Sequence, residues 1–158
     1  MKRLITLLSA LALAVGLLTG CGSSGTATAE PPQPAELAQE LLDSEGFTDI
    51  LSEVSAKVAA MLYGVSSDSV AECAVYCSTG ATAEEIAVFK AADAEAAEAL
   101  VSGAQERIAG QALAYAEYAP AEVAKLENAE VRSSGLYVVC VISDNSAATG
   151  EILDKYFA

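Results

Sequence analysis

The chain has 158 residues, of which 53% are apolar; it carries 22 Asp and Glu against 8 Lys and Arg, a net charge of −14, and it contains no histidine. Such a surface repels nucleic-acid phosphates and anionic headgroups alike, leaving no electrostatic basis for nucleic-acid binding. Without histidine there is no Ser-His-Asp or Cys-His catalysis and no histidine metal site.

Lys2 and Arg3 precede an apolar run from Leu4 to Leu18, shorter than the roughly 20 residues that span a bilayer, and this order predicts a secretory signal rather than a membrane helix. Leu18-Thr19-Gly20-Cys21 then resembles the bacterial lipoprotein processing site. That resemblance implies acylation of the Cys21 thiol with diacylglycerol, cleavage before it, and attachment to the membrane through the acyl chains. Residues 1–20 are thus expected to be a signal peptide, and loss of Lys2 and Arg3 leaves six basic residues against 22 acidic ones, a net charge of −16. Residues 21–34, small, polar and proline-containing, read as the lipidated cysteine and a flexible tether. Residues 35–158 have the size of one globular domain.

Within that domain a short helix is expected over 35–42. The apolar residues Phe47, Leu51, Val54, Val58, Met61 and Leu62 recur at close to 3.6 residues and predict a second helix ending at Gly64. From Val70 to Ser78 the alternation switches to period 2, a strand. Thr82 with Glu85 has the form of a capping box, but Ile86 and Val88 alternate with Ala87 and Phe89, and Asp93 is itself an N-cap. The expected arrangement is therefore a strand over 84–90 and a helix over 94–118. Pro120 and the residues after it suggest a brief helical turn. A second hairpin follows, 129–132 and 136–143 about a turn at 133–135, its second strand buried on both faces. A last helix, capped by Asp144 or Ser146, carries Ile152, Leu153, Tyr156 and Phe157. The order β, β, α, β, β, α after the N-terminal helices predicts an α+β fold: a four-stranded, largely antiparallel sheet with helices on one face.

Beyond Cys21 stand Cys73, Cys77 and Cys140. Cys73 and Cys77, four apart on a strand, are about 13 Å apart at Cα and out of disulfide range. Cys140 paired with either across adjacent strands is feasible, and all three as small buried hydrophobes is the plainer alternative. No phosphate-binding glycine loop, dinucleotide fingerprint or calcium loop is present. The carboxylate pair Glu84 and Glu85 reads as a solvated face or cap in so acidic a chain. No catalytic residue, metal or cofactor is assigned.

One constellation stands out. On the long helix Leu100, Ala104, Ile108 and Tyr115 form the inward stripe; 100° per residue places Gln111 near its centre and Arg107 and Tyr118 at its edge. Either Arg107 pairs with Glu85 from the neighbouring strand in an internal network, with Gln111 bonding to backbone, or Arg107, Gln111 and Tyr118 line a small cleft for an anionic group.

"LYGV" (62–65), "STGATAEEIAVFK" (78–90), the helix holding Arg107 and Gln111, "YAPAEVAKLENAEV" (118–131) and "GLYVVCVISD" (135–144) together resemble the bacterial lipoprotein family catalogued as domain of unknown function 4358. The resemblance spans nearly all of 35–158 and favours the strand assignment for 84–90. It implies no reaction, ligand or catalytic residue, and Cys73 and Cys77 are not a hallmark of it. The expected function is that of a membrane-anchored extracytoplasmic lipoprotein, a non-catalytic domain that interacts with an envelope protein or binds a small ligand. The alternative is a cell-envelope enzyme using carboxylates or a free thiol.

Overall fold

The computed structural model describes residues 29–157; the signal segment and Cys21 lie outside them. The chain runs α1 (Pro34–Leu42), β1 (Ser52–Val54), α2 (Ala56–Leu62), β2 (Val70–Cys77), β3 (Glu85–Ala91), α3 (Ala94–Tyr118), α4 (Val123–Glu127), β4 (Glu130–Ser134), β5 (Tyr137–Ile142) and α5 (Ser146–Leu153). All strand pairs are antiparallel, in the order β1-β2-β3-β5-β4.

The α+β class holds, with two corrections to its layout. The sheet has a fifth strand, β1, at its edge, paired through Ser52 with Cys77 and Val54 with Val75. Helices also cover both faces instead of one. The reason lies in β3 and β5, which are apolar on both alternations. Ala87, Phe89, Val138, Cys140 and Ile142 pack with Leu100 and Ala104 of α3, whereas Ile86, Val88, Val139 and Val141 pack with Leu37 and Leu41 of α1 and Leu153 of α5. A strand without a polar face has to be covered twice.

Local signals set most element ends. The Asp93 side chain accepts from the Ala96 N–H at 2.8 Å and starts α3, which stops before Pro120. Of the helix expected over 47–62, only α2 forms. The N–H groups of Thr48 and Asp49 are taken by the Glu84 carboxylate, and Ser52–Val54 pairs with β2, so tertiary hydrogen bonds override a weak helical preference. Asn145, rather than Asp144 or Ser146, caps α5 by accepting from Ala148. The tether boundary also moves: Pro31 is buried and the Ala29 N–H donates to the Lys155 carbonyl at 3.0 Å, so residues 29–34 lie against the domain.

Two ends of the sheet follow from the register. Cys77, Glu85 and Ile142 align at one end, and Lys90 and Tyr137 at the other. Gly103 lets α3 pass close to the end of α2: a Cβ there would fall 2.0 Å from the Tyr63 carbonyl oxygen, just past that end.

Candidate functional site

Glu85 opens β3, and its alternation turns the carboxylate toward α3, where it is 1% exposed. Leaving such a group bare would cost several kcal/mol, and the fold supplies donors from α3, from β2 and from the residue that follows α2. The Arg107 Nε donates to both carboxylate oxygens, at 2.8 and 3.0 Å, and Nη2 donates to Oε2. The Tyr63 hydroxyl donates at 2.8 Å and the Cys77 thiol at 3.4 Å. The Arg107 guanidinium also lies 5.7 Å from the Tyr63 ring centroid, within cation–π range.

The electrostatics lock these protonation states. Burial works against the charged form of Arg107, but its bonds and charge attraction to Glu85 outweigh this and raise its pKa further. Burial, reinforced by the Cys140 and Glu85 charges, holds the Tyr63 hydroxyl well above the ordinary value, so it stays a donor. Burial and then the Glu85 charge push the Cys77 thiol up to about 12, and burial does the same to Cys140. Burial and the Glu53 charge raise Cys73 as well. At neutral pH Arg107 keeps its charge and Tyr63 and the three thiols keep their protons, so the cluster holds no activated thiol nucleophile.

Next in sequence, Glu84 points the other way and is equally buried. It accepts from the Thr48 hydroxyl at 2.6 Å, the Thr48 and Asp49 N–H groups at 3.0 and 2.9 Å, and Lys125 Nζ at 2.7 Å. Burial opposes its ionisation, yet these four bonds, Lys125 foremost, hold its pKa below the ordinary value. Lys125 is shared with Glu122 and Asp144, both at 3.3 Å. The solvated reading of the Glu84 and Glu85 pair is thus overturned, since each carboxylate is buried and each has a cation.

Of the residues singled out in the sequence, Glu85 and Arg107 come together. Gln111 is half-buried, its Oε1 enclosed without a partner among the described residues. Tyr118 is 62% exposed and leans on Tyr115, ring centroids 5.0 Å apart, outside the ion-pair cluster. The disulfide of Cys140 with Cys73 or Cys77 is a correction: all three are free. β3 lies between β2 and β5, which separates them by two strand spacings, about 9.6 Å, beyond bridging range. Sequence reasoning missed Tyr63 and Lys125. A tyrosine just past a helix end and a lysine in a short turn carry no spacing signal, although a carboxylate at the head of an apolar strand does announce a need for donors.

Among the described residues no group of acidic or thiol side chains is arranged to hold a metal ion, and no helix is long and apolar enough to cross a membrane. Fold and site together define a small antiparallel α+β domain with helices on both faces, its sheet end sealed by two buried carboxylate–cation networks. Residues 44–143 match the family model described as Domain of unknown function (DUF4358), and the chain belongs to that family. No curated protein and no solved structure matches it.

Proposed function

We propose that this member of the family is a lipoprotein, anchored through Cys21 to the extracytoplasmic face of the cell membrane, whose domain binds a partner protein or a small ligand without catalysing a reaction. The observation that carries the anchor is the ordered leader: two cations, an apolar run too short to span, then Leu18-Thr19-Gly20-Cys21. Two or three acyl chains on one cysteine give stable attachment, since each buried methylene contributes about 0.8 kcal/mol. The binding role is supported by the state of the buried chemistry. Glu84 and Glu85 are each tied to a cation and to further donors, and the thiols are held protonated, so these groups serve the fold.

Cys21→Ser tests the anchor. The substituted protein is expected to leave the membrane fraction or to retain its leader, and the N-terminal peptide of the unsubstituted protein to carry diacylglycerol in mass spectrometry. Normal processing with unchanged membrane retention of the serine form would overturn the reading.

A further inference from the structure

We infer that the end of the domain built around the loop 78–84 is a preformed docking surface for a protein partner with a basic, partly apolar face; this rests on the binding role proposed above. The loop sits between β2 and β3 and carries Gly80 at a φ of +93°, a conformation glycine adopts without strain. Surface loops of this size are ordinarily among the more mobile parts of a fold. This one is tied down from every side. Ser78 Oγ donates to the Thr82 carbonyl at 2.5 Å, the Thr82 hydroxyl donates to Asp49 at 3.0 Å, and the Ala83 N–H donates to Glu122 at 2.9 Å. The Tyr115 hydroxyl donates to the Thr82 carbonyl as well. The buried Glu84 behind it fixes the adjoining backbone of Thr48 and Asp49.

Beside this base stand two of the large apolar side chains left exposed among the described residues, each next to a residue that bonds to Thr82. Ile50, 82% exposed, follows Asp49; Tyr118 leans on Tyr115. Apolar anchors on a preorganised base are what a binding surface needs, because little ordering remains to oppose association. Charge selects the partner. The segments 43–50 and 115–122 present Asp43, Glu45, Asp49 and Glu117, whereas the one cation of this end, Lys125, is taken by the buried Glu84 together with Glu122 and Asp144. A basic face is attracted here and an acidic one, including a second copy of this chain, is repelled. The tether joins the opposite end: Ala29, Glu30 and Pro31 border Lys90, Leu136 and Tyr137, about 17 Å along β3 from Glu85. Residues 29–31 therefore leave the loop end uncovered.

The test places a photoreactive benzoylphenylalanine at position 50, 118, 136 or 72 of the full-length protein in intact cells. Positions 136 and 72 probe the tether end and β2. The expected result is one and the same cross-linked protein from 50 and 118, none from 136 or 72, and a severalfold weaker adduct when Glu117→Lys is added. Adducts from 136 or 72 alone would overturn this surface while leaving the binding role standing. An adduct made of two copies of this chain, or one indifferent to Glu117→Lys, would overturn the basic partner. No adduct at any of the four positions, with the protein in the membrane fraction, would overturn both this surface and a protein-binding role.

Discussion

Glu85 and Arg107 illustrate how unequal the two ways of disturbing a buried ion pair are. Replacing Arg107 by alanine leaves a carboxylate that is 1% exposed with only Tyr63 and Cys77 as donors. The expected loss is about 3–5 kcal/mol in urea unfolding. Replacing both, as Glu85→Leu with Arg107→Met, removes the charge along with its partner and should recover most of that loss. A melting temperature for Arg107→Ala equal to that of the parent would instead mean that Arg107 is free to serve a ligand. Glu84 makes a separate claim about pH. Its folded pKa lies below the ordinary value of 4.5, so its contribution is present in full above that value and is lost as pH falls through the depressed folded value. Urea midpoints measured from pH 7 to pH 3 should therefore fall in the acid range for the parent. Glu84→Gln should start lower, for lack of the Lys125 charge pair, and fall less steeply.

At the scale of elements, α3 shows what local sequence can decide and what it cannot. Its bounds are legible because both ends carry strong local signals, the Asp93 cap and Pro120. The region 47–62 shows the same periodic pattern, yet half of it is loop and edge strand. Nothing in its own residues announces that Glu84, some 35 positions away, takes its N–H groups. The site divides likewise. The pairing of Arg107 with Glu85 follows from helical spacing and strand alternation, whereas Tyr63 joins them only because α3 crosses the end of α2 closely. Gly103 permits that crossing, and Gly103→Ala would press a Cβ into backbone at 2.0 Å. The expected cost is about 1–3 kcal/mol, with loss of the Tyr63 bond to Glu85. Gly110, on the same helix with nothing within 4 Å of an added Cβ, provides the control. Gly110→Ala should stabilise by about 0.5–1 kcal/mol, since alanine forms helix better. Thermal melts of the two variants should shift in opposite directions.

For the whole molecule, the family match and the folding unit differ in extent, and the difference falls on one face of the sheet. Residues 44–143 contain all five strands and α2, α3 and α4, but neither α1 nor α5. Those two helices are what cover Ile86, Val88, Val139 and Val141, through Leu37, Leu41, Ile152 and Leu153, with Phe157 just beyond α5. Each such side chain contributes about 1.5–3 kcal/mol on full burial. The five together contribute about 7–15 kcal/mol, the size of the entire net stability of a typical domain. The matched segment should therefore not fold alone, despite holding a complete sheet and both carboxylate–cation networks. Residues 29–157 are expected to melt in one cooperative transition, while residues 44–143 should show none and should bind the hydrophobic dye ANS through the uncovered face. A cooperative melt of 44–143 with little dye binding would mean that the α3 side of the sheet is sufficient, and that α1 and α5 are additions to an already stable core.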